Sequence, residues 1–241
     1  METQMNAVRT QPQTSLGNPA PAAIPDLAAE RRLVQRVFER CNEAIDEACA
    51  KSSVPVEFLG ALAANESGGH GGATRFEPAV YRHLVAVAQG RRPSYGSINA
   101  TSLDDEVTEL LPANDAALHA RYMTRGFADI HSPELQRATD DALRELATSW
   151  GYTQIMGYHM VDRPGDVHKL LDPQFHFRMA VWLISEFAVD FHLDAGRDFA
   201  EMFCCWNTGR PHGRTFDPDY VDNGLRRMQL YRQLRQLQPA G

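Results

Sequence analysis

Apolar side chains recur at intervals of three and four along most of this chain, a spacing that predicts helices and not strands. Leu33, Val34, Val37, Phe38, Cys41 and Ile45 form one such stripe, with Asp26 placed to cap it. After Lys51-Ser52-Ser53 comes a shorter pattern. Pro55 suits a first helical position, Glu57 falls in the first turn where the helix dipole favours an anion, and Ser67-Gly68-Gly69 stops the helix. Pro78 opens a further helix that ends at Gly90, and Ser132-Pro133-Glu134 starts one running through Leu135, Ala138, Ala142, Leu143 and Leu146. Asp172-Pro173 begins the longest apolar helix, expected to run through the centre of the core because Phe175, Met179, Val181, Trp182, Leu183, Ile184 and Phe187 cover most of its circumference. Asp198 to Trp206 makes another, ending at Asn207-Thr208-Gly209. Asp217-Pro218 opens the last, with Val221, Leu225, Met228, Tyr231 and Leu234 on one face. Between Arg91 and about Ser132 the pattern is less regular: Arg92 to Ser97 reads as loop, and Asp104-Asp105-Glu106 as the start of a short helix. No repeat and no alternating strand pattern appears. The expectation is an all-α fold in a single domain over residues 26–241, preceded by a disordered leader at 1–25 rich in Gln, Thr, Asn, Pro and Ala.

Composition narrows the partners. A length of 241 residues with 43% hydrophobic and 23% charged positions is enough for one substantial core. The formal charge of −7 argues against nucleic acid, whose binding rests on clustered Lys and Arg, and gives no long-range attraction to an anionic polymer. No apolar run is long enough to span a bilayer, and Met1-Glu2-Thr3-Gln4-Met5 has neither the basic nor the hydrophobic part of a secretory signal. Synthesis and retention in the cytoplasm are therefore expected unless another device exports the protein. Cys41 with Cys49, and Cys204 with Cys205, match no zinc or redox spacing; buried free thiols are expected, with one long-range disulfide the alternative.

Glu66 is the first candidate for chemistry. It lies four residues after Leu62 and seven after Leu59, on the same apolar stripe as Phe58. Desolvation and the negative end of the helix dipole both disfavour its charged form, raising its pKa as a general acid near neutrality requires. The alternative is a Glu that reaches solvent at a frayed helix end. Gly68 and Gly69 would let a substrate approach that end closely.

Three separated segments carry a resemblance. Leu62 to Gly69 contains Asn65-Glu66-Ser67-Gly68, which resembles the Glu-Ser-Gly element of soluble lytic transglycosylases and goose-type lysozymes. Ser149-Trp150-Gly151-Tyr152-Thr153-Gln154-Ile155-Met156-Gly157 is similar to their Gly-Leu-Met-Gln-Leu-Met element. Cys205-Trp206-Asn207-Thr208-Gly209, followed by Tyr220-Val221, is similar to their Tyr-Asn-Ala-Gly element and the Tyr-Val pair beyond it. Phe76-Glu77-Pro78 with Ser149-Trp150-Gly151 also resembles the N-acetylmuramidase domains of phage-type endolysins. The likeness covers roughly residues 53 to 237, with an unmatched helical or loop insertion at about 84–147 expected to pack beside the groove.

The resemblance implies a lysozyme-like helical fold, acting as a monomer, that cleaves the β-1,4 bond between N-acetylmuramic acid and N-acetylglucosamine in peptidoglycan. Residue by residue it implies Glu66 as catalytic acid and then base, Gln154 as groove lining, Asn207 near the catalytic Glu, and Tyr220 as the tyrosine of the Tyr-Val pair. Trp206 departs from the family by standing where tyrosine is usual, which removes a phenolic hydroxyl there. Ser149, Tyr152 and Trp206 complete the candidate substrate-binding set.

Each has a simpler alternative. Gln154 can satisfy a turn through its amide, Asn207 suits a helix C-terminus, and Trp150, Tyr152, Trp206 and Tyr220 can be core aromatics. Glu77, ahead of Pro78 at a helix start where the dipole keeps it ionised, is the candidate second carboxylate of a hydrolase; a salt bridge to Arg75 is its alternative. A lytic transglycosylase works with Glu66 alone, because the substrate's own C6 hydroxyl closes onto the anomeric carbon. No histidine spacing points to a metal, and no cofactor is expected. The wall polymer lies outside the membrane, so action after lysis, through a partner's pore or by dedicated secretion is expected.

Overall fold

The computed structural model describes residues 27–103, 133–163 and 165–237, with the side chains of 133–139 left aside. The expected leader, the Asp26 cap, the Asp104-Asp105-Glu106 helix and Ser132 lie outside the described residues. The chain is mostly helical. In order come α1 (Leu27–Cys49), α2 (Val56–Glu66), β1 (Thr74–Phe76), α3 (Pro78–Ala88), β2 (Ser94–Tyr95), β3 (Ile98–Asn99), α4 (Pro133–Leu146), β4 (Thr148–Trp150) and β5 (Ile155–Met156). Two 3-10 turns, Gly157–Met160 and Val167–Leu171, lead to α5 (Pro173–Asp190), α6 (Phe199–Thr208) and α7 (Tyr220–Gln236).

The centre of the core is α2, not the helix after Asp172. Every residue from Phe58 to Ala64 is buried, and α2 packs chiefly on α7 and α1. Small residues make this possible. A side chain at Gly60 would collide with the Tyr231 ring, so glycine lets α7 lie directly on α2. Length and apolarity favoured α5 in the sequence, but α5 keeps an outer face, with Val189 73% exposed. Asp172 does cap α5, accepting a hydrogen bond from the Phe175 N–H at 2.8 Å, with Pro173 at its first position. The last helix starts later than expected: Asp219 is its N-cap, and Pro218 lies outside it. Pro55 likewise stands at the N-cap of α2, one position before the helix.

Two small sheets accompany the helices. β1, β4 and β5 form an antiparallel sheet in the order β1-β4-β5, with Arg75 opposite Ser149 and Ser149 opposite Met156. β2 and β3 form a hairpin, and β2 with its turn lies in the Arg92–Ser97 segment expected to be loop. Strands of two or three residues are too short to show an alternating pattern. The three-stranded sheet nonetheless sets the site, because it fixes the Ser149–Gly157 turn beside the chain leaving α2. The four cysteines are free, and among the described residues no helix is long and apolar enough to cross a membrane.

Candidate active site

Glu66 is the last residue of α2 and is only partly exposed. Its Oε1 accepts a short hydrogen bond from the Tyr220 hydroxyl at the start of α7. Burial pushes the Glu66 carboxyl up to about 7, while the Tyr220 hydrogen bond and the more distant Arg75 charge pull against that rise. Tyr220 is 7% exposed. Burial and the neighbouring Glu66 raise its pKa well above the usual phenol value, so it stays a donor. A half-protonated carboxyl near neutrality, held by a phenol, can give a proton to a leaving oxygen and take one back.

Asn65 holds this pair in register. Its Nδ2 donates to the Tyr220 carbonyl at 3.0 Å and its Oδ1 accepts from Arg227 at 2.7 Å, so the residue before Glu66 ties α2 to α7. Behind it, Glu30 accepts from Arg226 Nε at 2.7 Å and from Arg227 Nη2 at 3.1 Å.

On the other side Ser67 Oγ donates to the Tyr152 carbonyl at 2.6 Å, joining the end of α2 to the Gly151–Gln154 turn. Gly68 and Gly69 have φ of 62° and 80°, and a Cβ at either would press on Leu33 or Val37 of α1. The pair therefore serves left-handed backbone and close packing on α1, and the expected substrate approach is not what requires glycine there.

The turn is braced from within the core. Gly151, at φ 72°, lies so close to the Leu170 carbonyl and the His176 ring that any side chain would collide. His176 is fully buried; its Nδ1 donates to the Leu170 carbonyl at 2.8 Å and its Nε2 accepts from the Thr153 N–H at 2.9 Å. Burial holds its pKa down to about 4, so it is a neutral structural ring.

The remaining candidates divide into two groups. Gln154, at φ 55°, spends its amide on the turn: Nε2 donates to Gly151 O at 2.9 Å and Ala73 O at 3.1 Å, and Oε1 accepts from Ser149 Oγ at 2.9 Å. Tyr152 packs its ring on Phe177, 5.1 Å between centroids, and over Gly71. Trp206 Nε1 donates to the Thr153 carbonyl at 2.9 Å, pinning α6 to the same turn. The phenol on Glu66 thus comes from Tyr220, and the Trp206 N–H is committed elsewhere. Asn207 is exposed, and its amide makes no hydrogen bond among the described residues. Gln154, Trp206 and Asn207 also line a cavity of about 370 Å³ together with Tyr95, Met156 and Tyr158; Glu66 is not part of its wall.

Glu77 caps α3, with its N–H donating to the Ala147 carbonyl at 2.8 Å. Arg75 grips its carboxylate, Nη2 at 2.5 Å and Nε at 2.6 Å. The same guanidinium acts on Glu66 electrostatically from farther away. Sequence reasoning passed over Asn65, Ser67, Thr153 and His176 as individual site residues. Thr153 and His176 act through partners 23 positions apart, which no local pattern displays. Comparisons of this chain with family models, with curated proteins and with solved structures find no match.

Proposed function

We propose that this chain cleaves the β-1,4 bond between N-acetylmuramic acid and N-acetylglucosamine in peptidoglycan, on a lysozyme-like helical fold and in the manner of a lytic transglycosylase. The observation that carries the reading is Glu66: a carboxyl at the end of a buried helix, poised near neutrality and partnered by a neutral phenol. Glu66 first protonates the glycosidic oxygen as the anomeric C–O bond breaks, leaving a carboxylate. That carboxylate then takes the proton of the C6 hydroxyl as its oxygen closes onto the anomeric carbon, which restores the acid. Tyr220 keeps the carboxyl oriented through both steps and favours the ionised form between them.

A single-carboxylate route fits because Glu77 is bound to Arg75. One observation favours hydrolysis as a second reading: the Arg75 guanidinium that holds Glu77 also acts electrostatically on Glu66, so the second carboxylate of a hydrolase would be Glu77. Trp206, Asn207 and Gln154, around their shared cavity, are the residues we assign to the strand, with Ser149 and Tyr152 shaping the turn behind them. The partner is the glycan strand, met by a monomer after lysis, through a pore or by dedicated secretion.

Mass spectrometry of purified sacculi digested with the protein tests the proposal. Anhydro-muramic ends support the transglycosylase, and reducing muramic ends move the reaction to the hydrolase with Glu77. Binding without soluble fragments would leave a glycan-binding module and overturn the proposal.

A further inference from the structure

Residues 209–219 join α6 to α7. One end of this loop follows Asn207, which lines the cavity assigned to the strand, and the other delivers Tyr220 to Glu66. The loop is tied down at both ends. Thr208 Oγ1 donates to the Arg210 carbonyl at 3.0 Å, and a side chain at Gly213 would collide with Thr208. Thr215 Oγ1 donates to the Asp217 carbonyl at 2.7 Å, and the same carbonyl accepts from the Tyr220 N–H at 3.1 Å.

Between these anchors the loop holds out Phe216, which is fully exposed. A phenyl ring with no packed face adds nothing to the core, and its hydration is a cost. Arg210 and Arg214 are exposed on the same loop, and neither guanidinium has an ion pair or hydrogen bond among the described residues. The acidic side chains of the loop have other partners. Asp217 Oδ1 accepts from the Asp219 N–H at 2.9 Å, and the Asp219 charge acts on Arg226 of α7. An apolar ring and two unpaired cations are thus left facing water, in a chain whose net charge is −7.

We infer that this loop is a docking arm for the glycan strand, with Phe216 lying on a sugar ring and Arg210 and Arg214 meeting the strand's carboxylates. The inference rests on the reading of the chain as a peptidoglycan-cleaving enzyme, and deepens it by adding a contact outside the cavity. A chain of pyranose rings bearing carboxyl groups offers both chemistries: C–H faces for the phenyl ring and anions for the guanidinium forks. Position selects this occupant. A strand held at both Asn207 and Glu66 spans the two ends of the loop. A lipid surface is held by a wider apolar face than one ring, and is the occupant the test sets against the strand.

The test measures co-sedimentation of the full chain with purified sacculi in the Glu66→Gln background, so that strands are not cut during the measurement. Phe216→Ala is expected to weaken binding about fivefold at every salt concentration. Arg210→Gln with Arg214→Gln is expected to weaken it about tenfold at low salt, a loss that shrinks as salt is raised. All three side chains are exposed, so these variants keep the fold. Flotation with phosphatidylglycerol vesicles runs beside it. The inference is overturned by a parent that does not sediment with sacculi, by either variant binding them as the parent does, or by a loss confined to vesicles. The proposed reaction is read separately, from fragments released by the wild-type chain. A wild type that releases them while the loop variants bind undiminished keeps the reaction and loses this inference. A chain that binds sacculi through the loop but releases nothing does the reverse.

Discussion

Glu30 and Glu66 both take their partners from α7, one reaching it from α1 and the other from the end of α2. Both are partly or wholly withdrawn from water, and burial raises the proton affinity of each. Their outcomes are opposite. At Glu30, Arg226 and Arg227 outweigh burial and hold the carboxyl below its usual value. At Glu66 the one close partner among the described residues is the Tyr220 phenol, and burial wins, to about 7. Arg227 bonds to Glu30 and to Asn65. What separates a structural carboxylate from a chemical one here is the charge of the partner together with the depth at which the carboxyl sits.

The most severe break is Glu66→Gln. It keeps the acceptor for Tyr220 but removes the proton, and loss of general acid–base help is expected to slow sacculus cleavage by at least ~10²–10⁴-fold. Near-wild-type release of soluble fragments by the purified variant would take Glu66 out of the mechanism. Breaking the other half, Glu30→Ala takes from Arg226 and Arg227 the carboxylate they share, while each keeps another acceptor, and is expected to cost about 2 kcal/mol in urea unfolding at pH 7. Because the folded pKa of Glu30 is lowered, its contribution is fully present above about pH 4.5 and fades as pH falls through the folded value. The folded fraction of this variant should still cleave.

Glu66→Gln also sharpens the contrast in stability. A folded value of about 7 against 4.5 means the native state holds the extra proton in that window, so wild-type stability from Glu66 is present below pH 4.5 and lost as pH rises through 7. At about 1.4 kcal/mol per tenfold change in proton affinity, the variant should gain up to roughly 3 kcal/mol on wild type above pH 7 and nothing below pH 4.5. Equal stabilities across the range would mean Glu66 is an ordinary solvated carboxylate. Tyr220→Phe has the smallest expected effect. Removing a hydrogen bond that favours the ionised form should raise the Glu66 pKa and move the alkaline limb of the rate profile up by about one pH unit, with a loss of about fivefold in rate. A limb that moves down would contradict the role given to the phenol.

Much of this contrast is local and was legible before the structure. The apolar stripe of Phe58, Leu59 and Leu62 carries Glu66 onto the buried side, and Ser67-Gly68-Gly69 marks the helix end. The partners were not legible. Tyr220 is 154 positions away and Glu30 is 196 from Arg226, so their pairing is a property of how α1, α2 and α7 stack. Gly68 and Gly69 were visible as glycines, but only the packing on Leu33 and Val37 says why glycine stands there. Gln154 was legible as a motif residue, while its hydrogen bonds to Ala73, Gly151 and Ser149 need the small sheet that no alternation announced. The preference for α5 as the central helix weighed apolar length. The small residues that let α7 and α1 close over α2 decided it instead.

Titration of the side-chain carboxyl carbons of Glu66 and Glu30 by NMR, assigned through Glu66→Gln and Glu30→Gln, reads the two proton affinities side by side. The expected result is a Glu66 midpoint near 7 and a Glu30 midpoint below the ordinary 4.5. A Glu66 midpoint at or below 4.5 would contradict it, since no proton would then remain for a leaving oxygen at neutral pH.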